Sequence, residues 1–190
     1  MANGIEFFLT QRVQDSDKHP RRWIWHVLDS EVIHQNIIHI LIDSSPAFSQ
    51  SLLGGLETWI CTRQPERGTF DLVAKSAEEE IFIEIKCDQM WSDDQKEKQR
   101  AFLQKNARAR CAMILFSQRA ARVTRADVQM VGDQFFKITY SEMYKALEAV
   151  RRDANSPGVE PGLVEFAAGY KVALAEQEQR TRITFGDPNV

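Results

Sequence analysis

Phe70-Asp71-Leu72-Val73, followed by Ile81-Phe82-Ile83-Glu84-Ile85-Lys86, is the stretch that decides how this chain is read. The two runs read as a β-hairpin with one acid on its first strand and an acid–x–base triplet on its second. Strand side chains alternate between faces, so Glu84 and Lys86 project to one side and Ile81, Ile83 and Ile85 to the other. Ser76-Ala77-Glu78-Glu79 is the turn candidate between them. A two- or four-residue loop there sets Asp71 directly opposite Glu84, on the same face, whereas an odd loop sets it opposite Ile85. Two carboxylates and an ammonium beside apolar strand surface cost free energy unless a cation and an anion fill the place. Metal-dependent phosphodiester cleavage makes that demand.

Asp71…Glu84-Ile85-Lys86 resembles the core motif of the PD-(D/E)xK nuclease superfamily, which includes restriction endonuclease-like and recombination-repair nucleases. Phe70 stands where the name has Pro, a departure the superfamily tolerates because only the Asp is a ligand. The setting agrees: a turn at Pro65-Glu66-Arg67-Gly68, then strand, turn and strand. The resemblance implies an α/β fold with a restriction endonuclease-like mixed central sheet flanked by helices, over residues 20–154. Residues 1–19 then form an N-terminal arm, and 155–190 a linker, an added C-terminal helix and a tail. It further implies hydrolysis of a nucleic-acid backbone, DNA in the first place, with Mg²⁺ as cofactor and Mn²⁺ able to substitute. Asp71 and Glu84 would ligate the ion together with the backbone carbonyl of Ile85. Lys86 would orient or help deprotonate the attacking water and neutralise transition-state charge. In such proteins the helix before the sheet often adds a Glu, for which Glu31 is the candidate. In the recombination-repair branch a Gln on the helix after the Lys strand reaches back, and Gln95 or Gln99 could fill that role.

Outward from the hairpin, Pro20 suits the first turn of a helix running to about Asp43. Its spacing puts Ile24, Leu28, Glu31, Gln35, Ile38 and Ile42 on one stripe. Glu31 in an apolar stripe should be paired, protonated or bound to something. Against that, Ile33, Ile37 and Ile40 make a second apolar face, which would leave Glu31 at a solvated edge. Ser45-Pro46 opens a short helix ending at Gly54-Gly55, and Leu56 to Thr62 is the first strand. Ser92-Asp93-Asp94-Gln95 is a capping-box pattern starting a helix to about Ala107, which by itself accounts for Gln95. Cys111 to Phe116 is a continuous apolar run, as in a strand buried on both faces, so Ile81 to Phe116 is strand–helix–strand with a parallel crossover. Gln134 to Tyr140 is a fifth strand, Ser141 starts the next helix, and Leu163 to about Arg180 is the last.

A chain of 190 residues is expected to form one domain with a full core. No apolar run approaches the ~20 residues of a membrane span, and Met1-Ala2-Asn3-Gly4-Ile5-Glu6 lacks a signal-peptide layout. Three widely spaced cysteines without zinc-ligand spacing fit reduced core residues of a cytoplasmic protein. The net charge of −3 speaks against nucleic-acid binding by the whole surface. Yet Lys98 to Ala126 holds eight basic residues and no acid: Lys98, Arg100, Lys105, Arg108, Arg110, Arg119, Arg122 and Arg125. Such a stretch could track a phosphate backbone, or form one solvated basic face. There is no HExxH, no Gly-x-Ser-x-Gly and no phosphate-cradling loop. Two other readings remain beside the enzyme. One is a non-catalytic nucleic-acid-binding or partner subunit on the same fold in a defence or repair complex. The other makes Glu84 and Lys86 a surface ion pair worth under ~1 kcal/mol. Cleavage of both strands of a duplex would favour a homodimer.

Overall fold

A computed structural model describes residues 30–63, 69–87, 91–106, 108–115, 123, 127–128, 131–153 and 160–185. The arm of 1–19, the turn at Pro65–Gly68, most of the linker and the tail lie outside these residues; the helix predicted to run from Pro20 to about Asp43 instead begins at Glu31, after an extended Ser30. The described chain is α/β, with five helices and a five-stranded mixed open sheet in sequential order. The elements are α1 (Glu31–Ser44), α2 (Pro46–Leu53), β1 (Ile60–Arg63), β2 (Leu72–Lys75), β3 (Glu80–Lys86), α3 (Asp93–Lys105), β4 (Arg110–Leu115), β5 (Phe135–Ile138), α4 (Tyr140–Arg152) and α5 (Pro161–Phe185). None of these helices is long and apolar enough to cross a membrane.

Local chemistry sets most boundaries. Ser45 Oγ accepts the Phe48 N–H and Pro46 fills the first turn of α2, so Ser45 caps that helix as its sequence predicts. The helix stops at Gly54, whose φ of 88° a side chain would strain. Gly55 follows with φ 76°, and the chain becomes a strand only at Ile60, later than the predicted Leu56. At α4, Thr139 and Glu142 form a complete capping box, so this helix begins one residue before Ser141 and β5 ends sooner than predicted.

The β2–β3 turn matters most for function. Ser76 N–H donates to Glu79 O, and Ser76 Oγ accepts the N–H groups of Glu78 and Glu79. The loop is therefore 76–79, the even-length case, with Lys75 opposite Glu80 and Leu72 opposite Ile83. β1 and β2 pair antiparallel, as do β2 and β3; β3–β4 and β4–β5 are parallel. The β3–α3–β4 unit is thus the predicted parallel crossover.

The pleat divides the apolar residues between two cores. Ile81, Ile83 and Ile85 join Ala112 and Ile114 on the face covered by α1, α2, α4 and α5. Phe82 and Met113 face the other way, toward Leu103 of α3. β4 is buried on both faces from Cys111 to Ile114, as its unbroken apolar run requires. Helices α1 and α5 are tied by a hydrogen bond of 2.6 Å between His34 Nδ1 and the Tyr170 hydroxyl, both buried.

Candidate active site

Glu84 and Lys86 lie at the carboxyl end of β3, on the face of Phe82, where α3 covers the sheet. Lys86 Nζ sits 2.6 Å from Glu84 Oε1, and both side chains are only 4% exposed. The surface ion pair considered from sequence is therefore not what the fold contains. Asp71 lies one residue before β2, where continuation of the ladder sets it opposite Glu84. Its backbone N–H donates to Ile83 O, and its carboxylate Oδ2 accepts the Ile85 N–H at 2.7 Å.

Two helix ends complete the enclosure. Glu31, at the start of α1, is half-buried, and its Oε1 accepts the Cys87 N–H at 3.2 Å. It does not stand at a solvated edge. One turn on, Gln35 Nε2 donates to Asp71 Oδ1 at 2.7 Å. From the other side, Ser92 Oγ accepts the Gln95 N–H to cap α3. The Gln95 side chain does not return to the cap, as a capping box would have it. Its Nε2 points to Glu84 Oε1 at 3.5 Å. Gln99 is fully buried and bonded elsewhere: its Oε1 accepts from Trp91 Nε1 at 2.8 Å and its Nε2 donates to Thr69 O at 3.1 Å. Gln99 braces the loop before Asp71 and leaves Glu84 to Gln95.

Three carboxylates therefore act on one ammonium. Burial drives the Glu84 carboxyl up to about 7, and the neighbouring Asp71 charge adds to this against the pull of Lys86. Burial also raises Asp71, opposed by the Ile85 N–H and by Lys86, with Glu31 pushing upward. For Lys86, burial works against the ammonium, but the charge and hydrogen bond of Glu84 together with the Glu31 and Asp71 charges outweigh it and hold the group above its usual value. Among the described residues, the site therefore sets three carboxylates against one ammonium.

The donor set selects the kind of ion that could relieve this excess. Among the described residues, no three His, Cys, Asp or Glu side chains form a group that could hold a metal ion by themselves. Asp71 and Glu84 offer two carboxylates, and both hydrogen-bonding contacts of Glu84 fall on Oε1. Two hard carboxylates fit Mg²⁺, which keeps much of its water and takes one or two protein carboxylates. They do not fit a closed zinc or calcium cage.

Among the described residues, two members of the basic stretch meet acids. Lys98 pairs with Asp94 at 2.7 Å on α3. Arg110 pairs with Glu79 at 2.9 Å and lies over the Phe136 ring, at the far end of β3 from Lys86 because Arg110 stands opposite Ile81. Arg100, Lys105 and Arg108 are exposed; Arg119, Arg122 and Arg125 lie outside the described residues.

Gln35 is the site residue that sequence reading passes over. Its one signal was a polar position one turn after Glu31 on an otherwise apolar stripe. Compared with models of known protein families, with curated proteins and with solved structures, the chain matches none.

Proposed function

We propose that this protein is a Mg²⁺-dependent nuclease with a restriction endonuclease-like core, hydrolysing phosphodiester bonds of nucleic acid, foremost DNA. The observation that carries the reading is the buried Glu84–Lys86 pair with Asp71 beside it and, among the described residues, one ammonium for three carboxylates. A structural ion pair has no use for that surplus, whereas a cation bound between Asp71 and Glu84 removes it.

Asp71, Glu84 and the Ile85 carbonyl would hold the ion. When bound, such an ion lowers the pKa of coordinated water and stabilises charge on phosphoryl oxygens. The chain supplies the rest. Lys86 Nζ, kept protonated by Glu84, donates hydrogen bonds rather than accepting a proton in the resting protein. Its roles are then to orient the attacking water and to offset charge on the phosphoryl oxygens as the P–O bond to the leaving group breaks. Gln95 keeps Glu84 facing the site, and the half-buried Glu31 holds the backbone at Cys87 next to Lys86. Arg100, Lys105 and Arg108 offer exposed charge for a phosphate backbone. Cys61, Cys87 and Cys111 are buried and form no disulfide, which accords with a cytoplasmic setting, and cutting both strands of a duplex would use two copies of the chain.

The test is cleavage of linear, circular and single-stranded DNA with Mg²⁺ or Mn²⁺ by wild type and Lys86→Ala. Metal-dependent cutting that disappears in the variant is the expected result. Binding of DNA by both proteins without cutting would favour the non-catalytic subunit instead. Equal cutting by both would remove Lys86 from the mechanism.

A further inference from the structure

Asp71 is gripped at both carboxylate oxygens. Gln35 Nε2 donates to Oδ1 and the Ile85 N–H donates to Oδ2, each at 2.7 Å. The two donors belong to different elements, helix α1 and strand β3, so together they fix the plane of the carboxylate as well as its position. Each carboxylate oxygen has about two lone-pair sites, so each keeps one beyond its anchor. Gln35 is itself firmly placed. The preceding residue, His34, is bonded to Tyr170 of α5, and Glu31 one turn earlier is bonded to the Cys87 N–H. Helix α1 cannot slide along the sheet without breaking contacts at all of these points.

Resting on the metal-dependent reading above, we infer that Gln35 is a positioning residue that holds Asp71 in one orientation and so makes the site prefer a small octahedral cation to calcium. Mg²⁺ demands near-ideal octahedral geometry, and Mn²⁺ also suits octahedral oxygen sites. Ca²⁺ is tolerant, and takes carboxylates in mono- or bidentate fashion. A carboxylate with an N–H on each oxygen is pre-set for single-oxygen ligation and resists turning both oxygens to one ion. Loss of the Gln35 amide releases Oδ1 and lets the group pivot about its bond to Ile85. That motion costs ordering entropy when a geometry-demanding ion binds, and it opens the two-oxygen mode that calcium accepts.

Calorimetric titration of the full chain with MnCl₂ and, separately, with CaCl₂ tests this. Gln35→Met keeps the length of the side chain and removes the donor; Gln35→Ala, tolerated by any helix, serves if Met misfolds. Mn²⁺ affinity should fall about tenfold, the low end for partners of metal ligands. Ca²⁺ affinity should hold or rise, and excess Mn²⁺ should restore the cleavage rate. A merely structural role would lower both affinities alike together with the metal-free melting temperature, and that outcome overturns the inference. So does an unchanged Mn²⁺ affinity in a folded variant. If wild type itself binds no Mn²⁺, the metal-dependent reading fails and this inference falls with it.

Discussion

Two lysine–glutamate pairs mark the two ends of strand β3, and their bond lengths scarcely differ. Lys75 and Glu80 meet at 2.7 Å with both side chains 49% exposed. Lys86 and Glu84 meet at 2.6 Å with both 4% exposed. In water the first pair exchanges solvation for Coulomb attraction at nearly no net gain. The second has lost its solvation, and what it recovers depends on every charge nearby. Asp71 and Glu31 both act against Glu84 there. The difference teaches that the perturbed ionisation of the Glu84–Lys86 pair comes from burial and neighbouring charge, not from the pairing.

The sharpest way to break this comparison is to remove the lysine from each pair. Lys86→Met leaves Glu84 buried without its cation, and urea unfolding at about pH 8 should show a loss of about 3–5 kcal/mol. A loss below ~1 kcal/mol would mean that the inner pair is as well hydrated as the outer one.

Acidity sharpens the same contrast with a smaller effect. The Glu84 carboxyl titrates near 4.5 in the unfolded chain and near 7 in the folded one, so between those values the folded state binds more protons. Its contribution to stability is complete below 4.5 and is lost as pH rises through about 7. Asp71, also raised, acts with the same sign. Lys86, raised from 10.5, takes no part in that window. The melting temperature of metal-free wild type should therefore fall relative to Glu84→Gln from about pH 5 to about pH 7. Saturating Mg²⁺, by keeping Glu84 ionised in the folded state, should remove that fall. A difference that instead grows in favour of wild type with pH would show a carboxylate already satisfied by the protein.

The smallest effect belongs to the outer pair. Lys75→Met should cost less than ~1 kcal/mol at low salt, and nothing measurable in 1 M NaCl. A larger loss would show that strand β2 depends on this contact for its register.

The legibility of the fold follows the range of the interactions that build it. Ser45, Pro46 and Ser92 announce their helices because a cap is completed within three residues. The four-residue turn at 76–79 implies the register of β2 on β3, and with it the placement of Asp71 opposite Glu84. β4 declares itself by an apolar run that no solvated strand would carry. Where a boundary went astray, a local feature had a stronger competitor. Successive glycines with positive φ delay β1, and the Thr139–Glu142 box takes the start of α4.

Side-chain partnerships across the fold were not legible in this way. The basic stretch looked like a single positive surface because Glu79, which neutralises Arg110, lies 31 positions away. Capping alone accounted for Gln95 in the sequence, yet the helix turned Gln95 toward Glu84 and Gln99 toward Trp91. Gln35 carried only the signal of a polar position on an apolar stripe, since its partner Asp71 lies 36 positions on in another element. His34 and Tyr170, separated by 136 positions, show the same limit.

By itself, the sequence determined the order of most helices and strands and which face of β3 carries the acid and the base, and it narrowed the hairpin register to the choice between an even and an odd loop. Those features depend on steric alternation, caps and turn length, all settled within a few residues of backbone. Only the tertiary structure decided that Glu84 and Lys86 are buried, that α1 delivers Glu31 and Gln35 to their side, and that Arg110 lies at the far end of β3. Burial and long-range charge are properties of several elements packed together, and no one segment of the chain encodes them alone.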